Sequence, residues 1–245
     1  MEDNIKSFLE KVDQLKSDNF KVNVLSKKSE VSCEPLTFKQ QKDIISTITD
    51  GITGPLKFQK NLNDIIVENT KNKELTVVDK LLIVLQLRKN SVGSVIKVKS
   101  EKYDILDSVI EKVLKLNHTT SKSIKGPISI ELEVPTLGSE NHIINACIES
   151  VKRDSEKEVG KSLSDIYTFE IVKFIKSVSI MDDSLNFQEL SVKDRVKVVN
   201  NLPLSVNKQI IDFIQDIKKA ELDALSFDTN EGEKTVEIDV SFFDS

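Results

Sequence analysis

The chain has 245 residues, enough for one large domain or two smaller ones that bury a core without disulfides or metals. It carries 35 Lys and Arg against 40 Asp and Glu, a formal net charge of −5, which disfavours contact with nucleic acid or an anionic membrane surface. Its only arginines are Arg88, Arg153 and Arg195, whereas phosphate recognition usually uses arginine, so no nucleic-acid partner is expected.

Export and membrane insertion are also disfavoured by the sequence. The N-terminal residues have no basic flank followed by an apolar core, so no signal peptide is predicted. The longest apolar stretch, Leu81–Leu87, is far shorter than the roughly 20 residues that cross a bilayer. Cys33 and Cys147 belong to no C-x-x-C pair, which favours two buried thiols in a reducing compartment and leaves a disulfide open.

The first elements are a helix and a hairpin. Residues 1–19 are predicted to be a helical extension, because apolar residues recur there at helical spacing: Ile5, Phe8, Leu9, Val12 and Leu15. Phe20–Leu25 and Glu30–Glu34 flank a short polar segment, which predicts two strands joined by a turn.

Three helices should follow. Thr37 with Gln40 forms a capping box that begins the first, and Gly51 should end it. Pro55 suits the first turn of the second, so residues 50–55 predict a tight corner between helices. Thr76 with Asp79 begins the third, which is apolar around so much of its circumference that it should be central.

Beyond this helix, strands and helices are predicted in turn. The predicted segments are a strand at Ser94–Lys99, a helix at Ile105–Leu116, a strand at Ile128–Val134, a helix capped by Ser139, a long helix through Ile166 to Val178, helices opened by Ser191 and Ser205, an acidic loop at Asp228–Glu233 and a last strand at Thr235–Phe242. The polar residues 118–125 carry no apolar period and are predicted to be a linker.

These elements predict an α+β fold, predominantly helical, with a short N-terminal hairpin and a few additional short strands. The predicted divisions are the extension at residues 1–19, a hairpin plus helical domain at 20–117, the linker at 118–125 and a mostly helical domain at 126–245 that ends in a strand.

No constellation of residues indicates catalysis, a cofactor or a metal. His118 and His142 have no second ligand at helical spacing and are interpreted as structural. Asp182, Asp183 and the glutamates near residue 231 fall in polar segments where solvated charge is the default. We therefore predict no enzyme, no cofactor and no metal.

Strand edges and apolar side chains suggest contacts with other chains instead. The N-terminal hairpin and the last strand could pair within the protein or offer an edge to a partner. On a strand, Phe242 and Phe243 would face opposite sides, so that one ring stays available to a neighbour. The candidate partner-binding residues are Phe20, Val22, Val24, Phe242 and Phe243.

Several segments resemble the baseplate proteins of contractile-tailed, T-even-type bacteriophages, in particular small hub and hub-assembly subunits. They are PLTFKQQKDII and the D-G-x-x-G turn after it, TVVDKLLIVLQLRKNSVG, SVKDRVKVVNNLPLSV, and VEIDVSFF near the C-terminus.

The resemblance implies a structural subunit of the baseplate hub that acts through protein–protein contacts, located in the virion tail and, during assembly, in the host cytoplasm. It implies other baseplate, hub, tail-tube or tape-measure proteins as partners, within an oligomeric assembly. A hub-assembly factor or chaperone absent from the virion is the alternative, and a tail-associated enzyme is a third class. The family's pattern brings no catalytic residue to this chain.

Overall fold

The computed structural model describes residue 5 and residues 19–98, 101–154 and 159–243. The predicted N-terminal helix lies outside these residues, apart from Ile5 and Asn19. Within them the fold is α+β and mainly helical, as predicted. The helices are α1 (Phe38–Ile45), α2 (Gly54–Thr70), α3 (Val77–Ser91), α4 (Leu106–Leu114), α5 (Leu137–Asp154), α6 (Val159–Val172), α7 (Val192–Asn201) and α8 (Leu204–Leu225).

The strands form three antiparallel hairpins and one four-stranded antiparallel sheet with the order β5-β6-β7-β8. The hairpins are β1 (Phe20–Val24) with β2 (Ser29–Cys33), β3 (Val95–Val98) with β4 (Glu101–Asp104), and β9 (Ser226–Thr229) with β10 (Gly232–Thr235). The sheet contains β5 (Ser121–Ile124), β6 (Ile128–Glu133), β7 (Ile175–Ile180) and β8 (Asp183–Asn186). No helix in the described part of the chain has the length and apolar character to span a membrane.

Side-chain caps begin α1, α3 and α7 where the sequence predicts, whereas α8 begins at Leu204 without a side-chain cap, so the predicted start at Ser205 is wrong. Thr37 and Gln40 form both bonds of a capping box before α1, and Thr76 and Asp79 do the same before α3. Ser191 caps α7 by accepting a bond from the Asp194 amide. The predicted cap at Ser139 is wrong, because the Ser139 amide donates to Thr136 Oγ1 at 3.2 Å and α5 therefore begins earlier.

Two apolar cores organise the chain. The N-terminal core surrounds α3, which is central as predicted, and includes Val22, Ile66, Leu82, Leu85, Val109, Phe227 and Phe243. The C-terminal core lies between the four-stranded sheet and the later helices, and includes Ile130, Ile144, Val178, Phe187, Ile210 and Phe213. Helix α8 contributes to both, with Ile214 in the C-terminal core and Ala224 in the N-terminal core.

The chain after α8 differs from the prediction. The segment predicted as an acidic loop forms the β9–β10 hairpin, and the predicted strand Thr235–Phe242 is wrong, because Val240–Phe243 is a 3₁₀ turn. The turn folds back onto the N-terminal core, where Arg88 Nε donates to the Phe242 carbonyl at 2.6 Å.

Two more predictions are corrected in the sheet region. The predicted helix through Val178 ends at Val172, and Ile175–Ile180 is strand β7, because β6 offers it a partner and its β-branched residues suit a strand. The predicted linker at 118–125 contains strand β5, whose exposed Ser and Lys residues gave no apolar alternation. The division into two domains stays a prediction.

Candidate functional site

Three of the candidate partner-binding residues lie on strand β1. Val22 and Val24 are buried in the N-terminal core, and Phe20 is half-buried against it. Strand β1 pairs with β2 along its whole length, so Phe20 lies opposite Cys33. These apolar side chains thus serve the core of their own chain.

Phe242 and Phe243 are both buried, and their rings make an edge-to-face contact with centroids 5.2 Å apart. The expectation that one ring stays available is not met, because a 3₁₀ turn rather than a strand carries them and directs both inward. The Gln41 side-chain amide also donates to the Phe243 carbonyl at 2.7 Å. A partner-binding role for the five candidates stays a prediction.

The two thiols have the properties of structural groups. Cys33 and Cys147 are free and buried, and burial raises the pKa of each thiol to about 12, so both are protonated at neutral pH. Burial lowers the pKa of His118. No group of three or more His, Cys, Asp and Glu residues within the described ranges is placed to hold a metal ion.

A groove with a volume of about 620 Å³ opens between the start of α2, helix α3, the end of α8 and the segment before the last turn. We call it the α2/α8 groove, and its lining includes Gly51, Phe58, Val77, Lys80, Glu221 and Ile238. Its size lies in the range of ligand and peptide pockets, and most of its lining is apolar.

The predicted corner at residues 50–55 forms one wall of this groove. Gly51 has φ +56°, a conformation that glycine adopts without strain. At Gly54 a Cβ atom would lie 2.9 Å from the Thr47 carbonyl oxygen, so only glycine allows this close approach. Pro55 then occupies the first turn of α2, as the sequence predicts.

An ionic network centred on a buried carboxylate lies beside the groove. Glu140, which is 5% exposed, accepts bonds from Lys80 at 2.7 Å and Lys173 at 3.2 Å. Lys173 also contacts Glu170 at 2.5 Å, and Glu170 contacts Lys218 at 3.4 Å. Each of these three lysines therefore has at least one carboxylate partner.

These pairs set the charge of the Glu140 carboxyl. Burial alone would raise its pKa, but Lys80 and Lys173 outweigh burial and lower the pKa to about 2. Asn63 Nδ2 adds a hydrogen bond of 2.8 Å to the same carboxylate. Glu140 is thus ionised throughout the physiological range and joins α2, α3, α5 and the residue that follows α6.

Glu221 differs from the other carboxylates near the groove. It is half-buried and has neither a hydrogen bond nor an ion pair with any residue that the structure describes. Burial raises its pKa to about 7, although Lys80 and Lys218 oppose the rise. The sequence carries a signal for this position, since Ile217, Glu221 and Leu225 follow at four-residue intervals and put a carboxyl on the apolar stripe of α8.

A second exposed feature is the β7–β8 hairpin tip, defined by Ile180, Met181 and Leu185. Their side chains are 47%, 95% and 45% exposed, respectively. Leu185 lies opposite the buried Val178, so this face of the hairpin continues the C-terminal core outward. The other face is polar, with Ser179 and Ser184 hydroxyls 2.9 Å apart.

Strand β8 is also one of the two edge strands of the four-stranded sheet. Its outer backbone groups are unpaired within the sheet, and all of its residues are exposed. An exposed edge of this kind accepts a strand from another chain, although Asp182 and Asp183 restrict the approach.

Together, the inward-facing thiols, the open groove and the apolar hairpin tip define a mixed α+β protein whose exposed features are suited to contact with other proteins. The family model described as "T4 bacteriophage base plate protein" matches residues 17–243. The chain belongs to this family of phage baseplate proteins and has the structural role that the family implies. Neither the comparison with curated proteins nor the comparison with solved structures gave a match.

Proposed function

We propose that this protein is a structural subunit of the hub region of a contractile-tail baseplate and acts through protein–protein contacts in tail assembly. Its partners are other baseplate, hub, tail-tube or tape-measure proteins. It is assembled in the host cytoplasm and retained in the virion tail, without chemistry or a cofactor.

The β7–β8 hairpin tip carries this proposal beyond family membership. Three large apolar side chains, Ile180, Met181 and Leu185, are exposed beside a sheet edge. Contact with a neighbouring subunit would remove this apolar surface from water and pair the free strand edge at the same time.

The first test is the amount of the protein in finished particles. Quantitative mass spectrometry of washed virions should find it in a fixed ratio to known baseplate proteins. Abundance in infected cells together with absence from washed virions would replace the proposal with its alternative, a hub-assembly factor. Cleavage of a glycan or peptide by the purified chain would contradict the non-enzymatic role.

The second test addresses the hairpin tip. Met181→Ser combined with Leu185→Ser should leave the fold intact, because both side chains are exposed, but should reduce incorporation into tails. Ser184→Ala in the same strand is the matched control and should incorporate normally, since its hydroxyl faces the polar side of the hairpin. Equal incorporation of the natural chain, the double variant and the control variant would exclude the tip as a contact surface.

A further inference from the structure

We propose that the α2/α8 groove binds a segment of a partner protein that carries apolar side chains next to a lysine or arginine. This inference rests on the proposed function, since it assumes that the chain works by contact with other proteins, and it identifies the chemistry of one such contact.

The shape and lining of the groove fit an apolar segment. Phe58, Val77, Leu225, Ile238 and Val240 are half-buried, so each leaves part of an apolar side chain facing the groove. A volume of about 620 Å³ accommodates two or three medium-sized side chains of a helix or strand. Binding would bury this remaining apolar surface.

The charges around the groove favour binding of a positively charged side chain from a partner. Lys80 forms an ion pair with Glu140 at 2.7 Å, and Lys218 forms one with Glu170 at 3.4 Å. Neither lysine lies within ion-pair distance of Glu221. Asp239, also in the lining, accepts bonds from amides of its own turn. Glu221 is therefore a carboxylate in an apolar wall, and the lysines near it pair with other carboxylates. A basic side chain from a partner would form an ion pair with Glu221.

The titration of Glu221 adds a measurable signature. Its pKa is raised to about 7 by burial, and the charged groups that face it are Lys80 from α3, Lys218 from α8, Glu140 from α5 and Asp239 from the last segment. A bound ammonium or guanidinium group would lower this pKa, because it stabilises the charged form. Affinity for a basic segment should therefore rise between about pH 6 and about pH 8.

The test uses synthetic helical peptides as probes and the full-length chain as the receptor. The peptides have about 12 residues with a leucine stripe, and they differ only at one position within that stripe, which is lysine, norleucine or glutamate. Fluorescence anisotropy would give each affinity, and NMR chemical-shift changes would locate the bound peptide.

We expect the lysine peptide to bind about tenfold more tightly than the glutamate peptide at about pH 8, with shifts at groove residues. Glu221→Gln keeps the shape of the side chain and should abolish both the lysine preference and its rise with pH. Asp223→Asn, a neighbouring exposed residue of α8 outside the groove lining, is the matched control and should keep the preference.

Three results would overturn the inference: no peptide binding, binding without preference for lysine, or an undiminished preference in Glu221→Gln. Failure of the inference is distinguishable from failure of the proposed function. A protein present in washed virions whose groove ignores the lysine peptide would retain its baseplate role and lose only this contact.

Discussion

Two glutamates near Lys80 of α3, Glu140 and Glu221, have opposite electrostatic roles. Glu140 is buried, charged and paired with two lysines, whereas Glu221 is half-buried and has no ion pair with any described residue. The free energy of folding should depend on pH through both, but with opposite signs, because one pKa is lowered and the other is raised.

For Glu140, we expect Glu140→Gln to destabilise the fold by about 3 kcal/mol at neutral pH, because it leaves Lys80 without its carboxylate and Lys173 with one fewer. The lowered pKa contributes stability that is present above the ordinary value of 4.5 and is lost as the pH falls towards about 2. Urea unfolding should therefore show the two forms converging in acid. Glu111→Gln, on an exposed residue of α4, should change little, and an equally small effect at Glu140 would contradict the role of the network.

For Glu221, the raised pKa contributes stability that is fully present below 4.5 and is lost as the pH rises through about 7. We expect Glu221→Gln to be more stable than the natural chain by roughly 1 kcal/mol at about pH 8, after allowance for partial exposure, and similar to it at about pH 5. Thermal unfolding at both pH values would measure this. A natural residue that costs stability at neutral pH is consistent with a functional role for its charge.

At the scale of elements, Asp79 joins the first hairpin to the central helix. Its carboxylate accepts bonds from the Thr76 amide and hydroxyl at 2.9 and 2.8 Å, within the capping box of α3. It also accepts from the Ser26 amide and hydroxyl at 2.8 and 2.7 Å, in the turn between β1 and β2. The cap thus fixes both the start of α3 and the position of the hairpin.

We expect Asp79→Ala to cost about 3 kcal/mol, because it leaves several donors of two elements without an acceptor. Thr37→Ala removes a cap that serves α1 alone and should cost about 1 kcal/mol. Chemical denaturation of the two variants would compare them. Similar losses would mean that the bonds from Ser26 add nothing to the stability of the hairpin.

At the scale of the whole molecule, the C-terminal residues complete a core that begins at residue 20. The N-terminal core also contains residues that follow the C-terminal core in the sequence, namely Phe227, Val236, Phe242 and Phe243. Helix α8 connects the two cores. Loss of the 3₁₀ turn Val240–Phe243 should therefore weaken the whole fold and not only a contact with a partner.

We expect Phe243→Ala to destabilise the protein by about 3–5 kcal/mol, because the side chain is fully buried and its removal leaves a cavity. Phe38→Ala is the matched control, since that ring is 76% exposed, and it should cost less than about 0.5 kcal/mol. Differential scanning calorimetry would measure both. A small loss at Phe243 would show that the last turn is not part of the cooperative fold.

Local features of this protein follow from its amino-acid sequence alone. The caps at Thr37, Thr76 and Ser191 and the corner at residues 50–55 are where the residues predict them, because capping, proline and glycine act within a few residues. The α+β class followed from the same local periods. The family was predicted from short segments of sequence, and the family model matches residues 17–243.

Which segments pack together depends on long-range contacts that local sequence patterns do not specify. Ile175–Ile180 became a strand because β6 and β8 pair with it, and Val240–Phe243 became a buried turn because the N-terminal core accepts both rings. The corner of the α2/α8 groove was predictable, whereas the presence of Lys80 and Glu221 in the lining of one groove was not, since they lie on helices far apart in sequence. Hydrophobic periods define which face of an element is buried, but long-range packing chooses its partner.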